Sequence, residues 1–214
     1  MKIAEAIKEL DNIFFKYGIK DEKNVLGYKN NFIEYVKGLE GVSLEAEYKK
    51  RAFFYEFIEL QKKVGLNVDL LNNYTMLLAS ANRKLGQDFT PVSLTELLSK
   101  ITINEEVENP IFYDAAGGTG TLPMQAYYEW LYKQKHFDDQ FRPILEIDEF
   151  DIYNCYCCVF NFIIRGLNAI VRNKDTITNE TYAVFVMTNR ATIGEIFSWY
   201  SDYKTIPEEE IQEW

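Results

Sequence analysis

Short apolar runs alternate with longer segments of helical periodicity throughout the second part of the chain, after Gly86. This alternation constrains the fold more than any other feature, because parallel strands need long crossover connections and helices usually supply them. It predicts an α/β domain over residues 86–214, with a mainly parallel sheet and helices on its faces. Strands are predicted at residues 110–116, 141–148, 168–177 and 182–189, and helices at 121–134, 149–167 and 191–203.

The first part of the chain has a different pattern, since its apolar residues recur every three or four positions. This spacing is typical of amphipathic helices and predicts a helical N-terminal domain over residues 1–85. Gly65 and Gly86 are plausible helix ends, because glycine commonly terminates helices. The predicted helices cover residues 3–14, 32–39, 43–64 and 68–85.

Charge and cysteine content narrow the classes of function. The chain carries a formal net charge of -10, which disfavours unaided binding to a phosphate backbone. No apolar run is long enough to cross a membrane. Three cysteines clustered at Cys155, Cys157 and Cys158 do not suit a disulfide framework, and a chain with one histidine offers few further zinc ligands. Buried helix cysteines in a reducing cytoplasm, with no metal site, are therefore predicted.

The most glycine-rich stretch, FYDAAGGTGT at residues 112–121, follows the first predicted strand. A phosphate-binding P-loop needs a lysine after its last glycine, but Gly120 is followed by Thr121. The dinucleotide fingerprint needs a third small residue where Pro123 stands. Asp114 enters the turn directly, and its carboxylate suits a ligand with an ammonium group, such as S-adenosylmethionine. A tight strand-to-helix turn without a ligand is the alternative at this point.

Five short motifs follow one another in the second part of the chain: GQDFTP (86–91), DAAGGTG (114–120), LEID (145–148), NFIIRGLN (161–168) and KDT (174–176). In this order and spacing the chain resembles the modification subunits of type I restriction systems and related adenine-N6 DNA methyltransferases. The resemblance covers residues 86–189. The helical first part is similar in kind to the N-terminal domain of that family, without a specific motif.

The resemblance implies a shortened Rossmann-like domain that uses S-adenosylmethionine as its cofactor. Asp88 and Ala115 replace the usual aromatic and proline of the two glycine motifs, and Gly117 replaces a usual small residue. Cofactor binding is still expected with these departures. The implied cofactor contacts are Phe89, Thr90 and Pro91 over the site, Asp114, Gly118, Thr119 and Gly120 at the methionine end, Glu146 at the ribose, and Asp175 at the adenine ring.

The catalytic Asn-Pro-Pro-Phe motif of that family is reduced here to Asn189, because Arg190, Ala191 and Thr192 occupy the other three places. Base methylases rotate the target base into a pocket, where the asparagine of this motif accepts a hydrogen bond from the exocyclic amine. Asn189 is therefore the candidate catalytic residue, and capping of the following helix is its alternative role. The reduced motif and the lack of room for a target-recognition domain imply weak or no methylation by the chain alone.

The sheet order implied by the resemblance is 3-2-1-4, which puts the apolar strand 182–188 at an edge. An uncovered apolar edge invites pairing. A protein partner or a second copy of the chain is therefore expected at strand 182–188, and DNA binding is expected only with a partner chain. The expected location is the cytoplasm of a bacterial or phage-infected bacterial cell. The competing interpretation is a non-catalytic interaction protein, derived from a phage or mobile element, that uses the methylase scaffold to bind a protein.

Overall fold

The computed structural model describes most of the chain, which forms two compact units, Met1–Gln87 and Asp88–Trp214. The predicted domain boundary near Gly86 lies outside the described residues. The residues described are 1–21, 27–40, 48–82, 94, 97–98, 100–101, 103, 107, 109–134, 143–189 and 201–213.

The first unit contains the helices α1 (Ile3–Lys16), α2 (Tyr28–Lys37), α3 (Tyr48–Val64) and α4 (Leu70–Asn82). They lie where the apolar spacing predicts helices, and the predicted start of α3 at Ser43 lies outside the described residues. An aromatic cluster joins them, because helices with bulky apolar stripes gain most by burying these stripes together. The fully buried ring of Phe14 lies 6.0 Å from Phe32, 6.0 Å from Phe53 and 5.1 Å from Tyr74.

In its described residues, the second unit is built on a five-stranded sheet in the order β1-β2-β3-β4-β5. β1, β2 and β3 are parallel, whereas β4 is antiparallel to both β3 and β5. The α/β class is thus confirmed, but the sheet is mixed rather than mainly parallel. The strands are β1 (Ile111–Asp114), β2 (Ile144–Glu149), β3 (Asn168–Asp175), β4 (Glu180–Thr188) and β5 (Asp202–Ile206).

The predicted strand order 3-2-1-4 is wrong, because β4 lies beside β3 and not beside β1. Only residues 176–179 separate β3 from β4, and Asn179 adopts a left-handed φ of 62° in this turn. A connection this short cannot make a parallel crossover and produces an antiparallel hairpin. β4 also pairs with β5 on its other side, so strand 182–188 is internal and is not the predicted edge.

The structure also differs from the prediction after β4. A helix is predicted over residues 191–203, but Asp202 and Tyr203 belong to β5. Residues 190–200 lie outside the part of the chain that the structure describes. After β5, a short 3-10 helix (Glu208–Glu213) places Ile211 against an apolar cluster on the sheet, formed by Ile170, Val184, Val186 and Ile206.

The opposite face of the sheet is covered by α5 (Thr121–Lys133) and α6 (Ile152–Ile163). α6 is buried over nearly its whole length, and its three cysteines are reduced and buried, as predicted. Asp151 caps α6 by accepting hydrogen bonds from the backbone N–H groups of Tyr153 and Asn154. No helix in the described part of the chain is both long and apolar enough to cross a membrane.

Candidate functional site

The glycine-rich turn connects β1 to α5 and has a conformation that requires glycine. Gly118 and Gly120 have φ angles of +57° and +86°, in the left-handed region where a side chain is costly. The backbone N–H of Gly120 donates to Gly117 O at 2.8 Å, which closes the turn. The N–H of Gly117 donates to Asp148 O at 3.1 Å, which ties the turn to β2.

The turn is closely packed beneath Gly117 and Gly120 but open at Gly118. A Cβ atom on Gly117 would lie 2.3 Å from Ile147 Cγ2, and one on Gly120 would lie 2.7 Å from Phe162 Cζ. A Cβ on Gly118 would meet nothing within 4 Å. A ligand can therefore approach the backbone at Gly118, whereas the other two glycines pack against β2 and α6.

Side chains of α6 hold the carbonyl groups of this turn. Cys158 Sγ donates to Gly118 O at 3.0 Å, and Asn161 Nδ2 donates to Thr119 O at 3.0 Å. Both donors lie on one face of the helix, since they are three residues apart. The turn is thus fixed by the helix that follows β2 as well as by its own backbone.

Asp114 ends β1 and begins the turn. Its Oδ1 accepts the backbone N–H of Ala116 at 3.1 Å, the local hydrogen bond of an Asx turn. Among the described residues no other group donates to this half-buried carboxylate. It also lines a cavity of about 490 Å³ beside β1, whose wall includes Phe112, Pro123 and Trp130. The carboxylate therefore keeps acceptor capacity for a cationic or hydroxyl-bearing ligand.

Glu149 is a site residue that the sequence analysis missed. It ends β2, where its Oε2 accepts the N–H of Gly118 at 2.8 Å and its Oε1 accepts the N–H of Asp151 at 2.7 Å. Burial raises the pKa of this carboxyl, while the hydrogen bonds from Asp151, Gly118 and the Asn154 side chain oppose that rise. The position of Glu149 at the end of β2 is the signal that could have identified it.

Glu146, the predicted ribose contact, lies elsewhere. It is in the middle of β2, and its Oε2 forms an ion pair with Arg172 Nη2 at 3.0 Å. Arg172 also contacts Asp148, which accepts a hydrogen bond from the Tyr113 hydroxyl at 2.9 Å. Because side chains alternate between the two faces of a strand, Glu146 and Asp148 point away from the face of Glu149. The structure does not bring Glu146 to the glycine turn.

The loop after Glu149 is held by β3. Asn173 Nδ2 donates to Glu149 O at 3.1 Å and to Phe150 O at 2.7 Å. Phe150 follows Glu149 in the sequence and is 65% exposed, with its ring centroid 6.3 Å from that of Tyr182. An exposed aromatic ring beside fixed acceptors is a typical stacking surface for a planar ligand.

Asp175 lies at the end of β3, on the same edge of the sheet as Glu149, since β2 and β3 are parallel. Its Oδ1 accepts the backbone N–H groups of Ile177 at 2.9 Å and Thr178 at 3.2 Å. These bonds lower the pKa of the Asp175 carboxyl. The side chain therefore organises the β3–β4 turn in this structure.

Asn189 lies at the opposite edge of the sheet from the glycine turn. Its Nδ2 donates to Gly166 O at 2.9 Å, and its N–H donates to Asn168 Oδ1 at 2.8 Å. Asn168 begins β3, whereas Asn173 is level with Glu149. Asn168 and Asn173 are five strand residues apart, which corresponds to roughly 17 Å along the strand. The separation arises because β4 is antiparallel to β3, so that the end of β4 lies beside the start of β3.

A model of the N-6 DNA methylase family matches residues 69–196, which is more than half of the chain. The chain belongs to the N-6 DNA methylase family. The matched range begins before the resemblance predicted from residue 86, because it also includes α4. No curated protein and no solved structure gives a significant match.

N-6 DNA methylases use S-adenosylmethionine, and the residues at the glycine turn fit this cofactor. It carries an ammonium group and two ribose hydroxyls, all of them donors, and the turn offers the acceptors Asp114 and Glu149. The open space at Gly118 leaves room for a ligand at the turn. A third acceptor, Oδ1 of Asn154, is buried with no hydrogen-bond partner. The predicted contacts Phe89, Thr90 and Pro91 lie outside the described residues.

The position of Asn189 leads to a prediction for this member of the N-6 DNA methylase family. Asn189→Ala removes the donor to Gly166 O, so we expect a loss of about 1 kcal/mol in the free energy of unfolding. We expect the affinity for S-adenosylmethionine to stay the same, because the side chain lies at the other edge of the sheet. Urea unfolding and isothermal titration calorimetry measure the two quantities, and a clear loss of affinity would contradict the described geometry.

Proposed function

We propose that this chain binds S-adenosylmethionine at the turn between Asp114 and Gly120, and that it is related to the modification subunits of type I restriction systems. The observation that carries this proposal is a pair of carboxylates at one turn: Asp114 begins the turn, and Glu149 accepts the N–H of Gly118, where the backbone is open. Each ends one of two adjacent parallel strands. Ligands of open α/β sheets bind at this edge, beyond the carboxyl ends of the strands.

Each group of the cofactor has a complementary residue in this proposal. The Asp114 carboxylate accepts from the ammonium group of the methionine part, and the Glu149 carboxylate accepts from a ribose hydroxyl. Gly118, Thr119 and Gly120 allow the backbone to approach the ligand closely. Phe150 stacks on the adenine ring through its exposed face. The contact of Asp175 with adenine stays a prediction. The cofactor supplies an electrophilic methyl group.

We expect this chain alone to be weak or inactive as an adenine methylase. In the adenine methylases that it resembles, an asparagine must meet the target amine next to the methyl donor. Asn189 lies roughly 17 Å from the level of Glu149 along the strand direction, and its amide is already bonded to Gly166 O. Methyl transfer therefore needs an acceptor for the amine from other residues or from a partner chain.

Isothermal titration calorimetry with S-adenosylmethionine tests the cofactor proposal. We expect binding by the wild-type chain and a loss of at least about tenfold in affinity for Asp114→Ala, since a hydrogen bond to a charged group is lost. Asp202→Ala is a matched control, because Asp202 is an exposed carboxylate at the start of β5, away from the turn. No binding by the wild-type chain at high micromolar cofactor would overturn the proposal. Incorporation of tritium from labelled cofactor into adenine-containing DNA, with and without a partner chain, tests the expected inactivity.

A second candidate function is protein interaction through β1. Within the described residues no strand pairs with the outer edge of β1, where Ile111 and Tyr113 are 62% and 58% exposed. A free edge can accept a strand from another chain, so the proposed partner surface moves from strand 182–188 to β1. For pairing with a second copy, light scattering should show a dimer that Ile111→Lys abolishes. A wild-type chain that stays monomeric at high concentration would exclude this pairing.

A further inference from the structure

Three polar residues form a stripe along α6, a helix that is otherwise almost entirely apolar and buried. Asn154, Cys158 and Asn161 are spaced by four and three residues, which places them on one face of the helix. Cys158 and Asn161 both donate to carbonyl groups of the glycine turn. This face of α6 is therefore directed towards the turn, and Asn154 continues it on the side of Glu149.

The Asn154 side chain lies near the Glu149 carboxylate and has an acceptor without a partner. Its proximity helps to keep the pKa of that carboxyl from rising further. Its Oδ1 accepts no hydrogen bond, although only 3% of the residue is exposed. A buried acceptor without a partner is costly, and native structures contain few of them. A donor from outside the protein would remove this cost.

Glu149 already uses both carboxylate oxygens to accept backbone N–H groups. A ligand with two adjacent hydroxyls presents two donors. A carboxylate that already accepts two backbone N–H groups has little acceptor capacity left for both hydroxyls. Asn154 Oδ1 provides a second acceptor directly beside it. A ligand with a vicinal diol would have a second donor for this unpaired acceptor.

We infer that Asn154 Oδ1 accepts a hydrogen bond from a ribose hydroxyl of the bound nucleoside, and that this makes the site selective for ribonucleosides over deoxyribonucleosides. The inference rests on the proposed binding of S-adenosylmethionine at the same turn and adds a specificity-determining residue to it. A site that hydrogen-bonds a hydroxyl rejects the analogue that lacks it, because the buried acceptor is then left unpaired.

Titration with three ligands tests this role. S-adenosylhomocysteine and its 2′-deoxy and 3′-deoxy analogues are titrated into the wild-type chain and into Asn154→Leu. We expect the analogue that lacks the hydroxyl bonded to Asn154 to bind the wild-type chain about tenfold more weakly than S-adenosylhomocysteine. The reason is the loss of one hydrogen bond to a buried acceptor. Asn154→Leu should bind the ribose compound about tenfold more weakly than wild type and should no longer distinguish it from that analogue.

Asn72→Leu is the matched control, because Asn72 is 2% exposed and its Oδ1 also lacks a partner, but it lies on α4 in the other unit. It should leave all three affinities unchanged. Asn154→Leu with wild-type affinities, or with an equal loss for all three ligands, would overturn the inference. Equal binding of the three ligands by the wild-type chain would overturn it without any variant. In both Asn154→Leu cases the proposed function stands, whereas equal binding of the three ligands by the wild-type chain also removes the ribose contact proposed for Glu149. A wild-type chain that binds none of the ligands overturns the inference and the proposed function together.

Discussion

Gly120→Ala is expected to lower the free energy of unfolding of the second unit by about 3 kcal/mol. Two costs add at this position. The left-handed φ of +86° costs a residue with a side chain about 1–2 kcal/mol. The new methyl group would also lie 2.7 Å from Phe162 Cζ and 3.3 Å from Cys158 Sγ, and overpacking of this kind costs about 1–3 kcal/mol. Urea unfolding followed by circular dichroism measures the sum.

Gly118→Ala separates these two costs. Its φ of +57° is also left-handed, but the added methyl group meets nothing within 4 Å. We therefore expect a loss of only about 1–2 kcal/mol, from the backbone alone. Equal losses for the two variants would show that the contact with Phe162 is not tight in solution. Gly118→Ala should nevertheless weaken cofactor binding, because its methyl group enters the space proposed for the ligand.

Local features of this fold could be predicted from the sequence, because they depend on neighbouring residues. The helices of the first unit follow from the spacing of residues such as Leu10 and Phe14, both of which are buried. The strand, turn and helix around Gly118 follow from an apolar run and a cluster of glycines. The burial of Cys158 follows from the apolar composition of its helix.

The strand order could not be obtained in the same way, since it was taken from the resemblance. The resemblance implies that β4 lies beside β1, but four residues between β3 and β4 leave no room for a crossover. Asparagine tolerates the left-handed conformation that Asn179 adopts in this turn. The sequence at this position therefore favours a hairpin. The same hairpin carries Asn189 to the edge opposite the glycine turn.

The structure places Glu146 away from the glycine turn for a related reason. Glu146 and Glu149 are three positions apart, so they point to opposite faces of β2. The prediction ended the strand at Asp148, one residue before the carboxylate that contacts Gly118. The periodicity of a strand fixes which residues share a face, but it does not say which face meets the turn. That choice depends on how α6 packs, which is a tertiary property.

Glu149→Gln is expected to weaken binding of S-adenosylmethionine by roughly 10- to 100-fold. A hydrogen bond to a charged group contributes about 1.5–3 kcal/mol, and the neutral amide loses it. Glutamine also has only one acceptor oxygen, so either Gly118 N–H or Asp151 N–H faces an amide group in place of its acceptor. Isothermal titration calorimetry at pH 7.5 measures the change in affinity.

Glu146→Gln is the matched control for this substitution. It makes the same chemical change three residues earlier, on the face where Glu146 pairs with Arg172. We expect its affinity for the cofactor to equal that of the wild-type chain. A loss of affinity in Glu146→Gln, with none in Glu149→Gln, would restore the ribose role that the resemblance implies for Glu146.

The pH dependence gives a second measure of Glu149, because burial raises the pKa of its carboxyl above the ordinary 4.5. The folded chain then holds this proton more tightly than the unfolded chain. The resulting stabilisation is fully present below pH 4.5 and is lost as the pH rises through the folded-state pKa. The stability of the wild-type chain relative to Glu149→Gln should therefore decrease over this range. Cofactor affinity should change in the opposite direction, since the ionised carboxylate is the better acceptor, and this part of the pH dependence should be absent in Glu149→Gln.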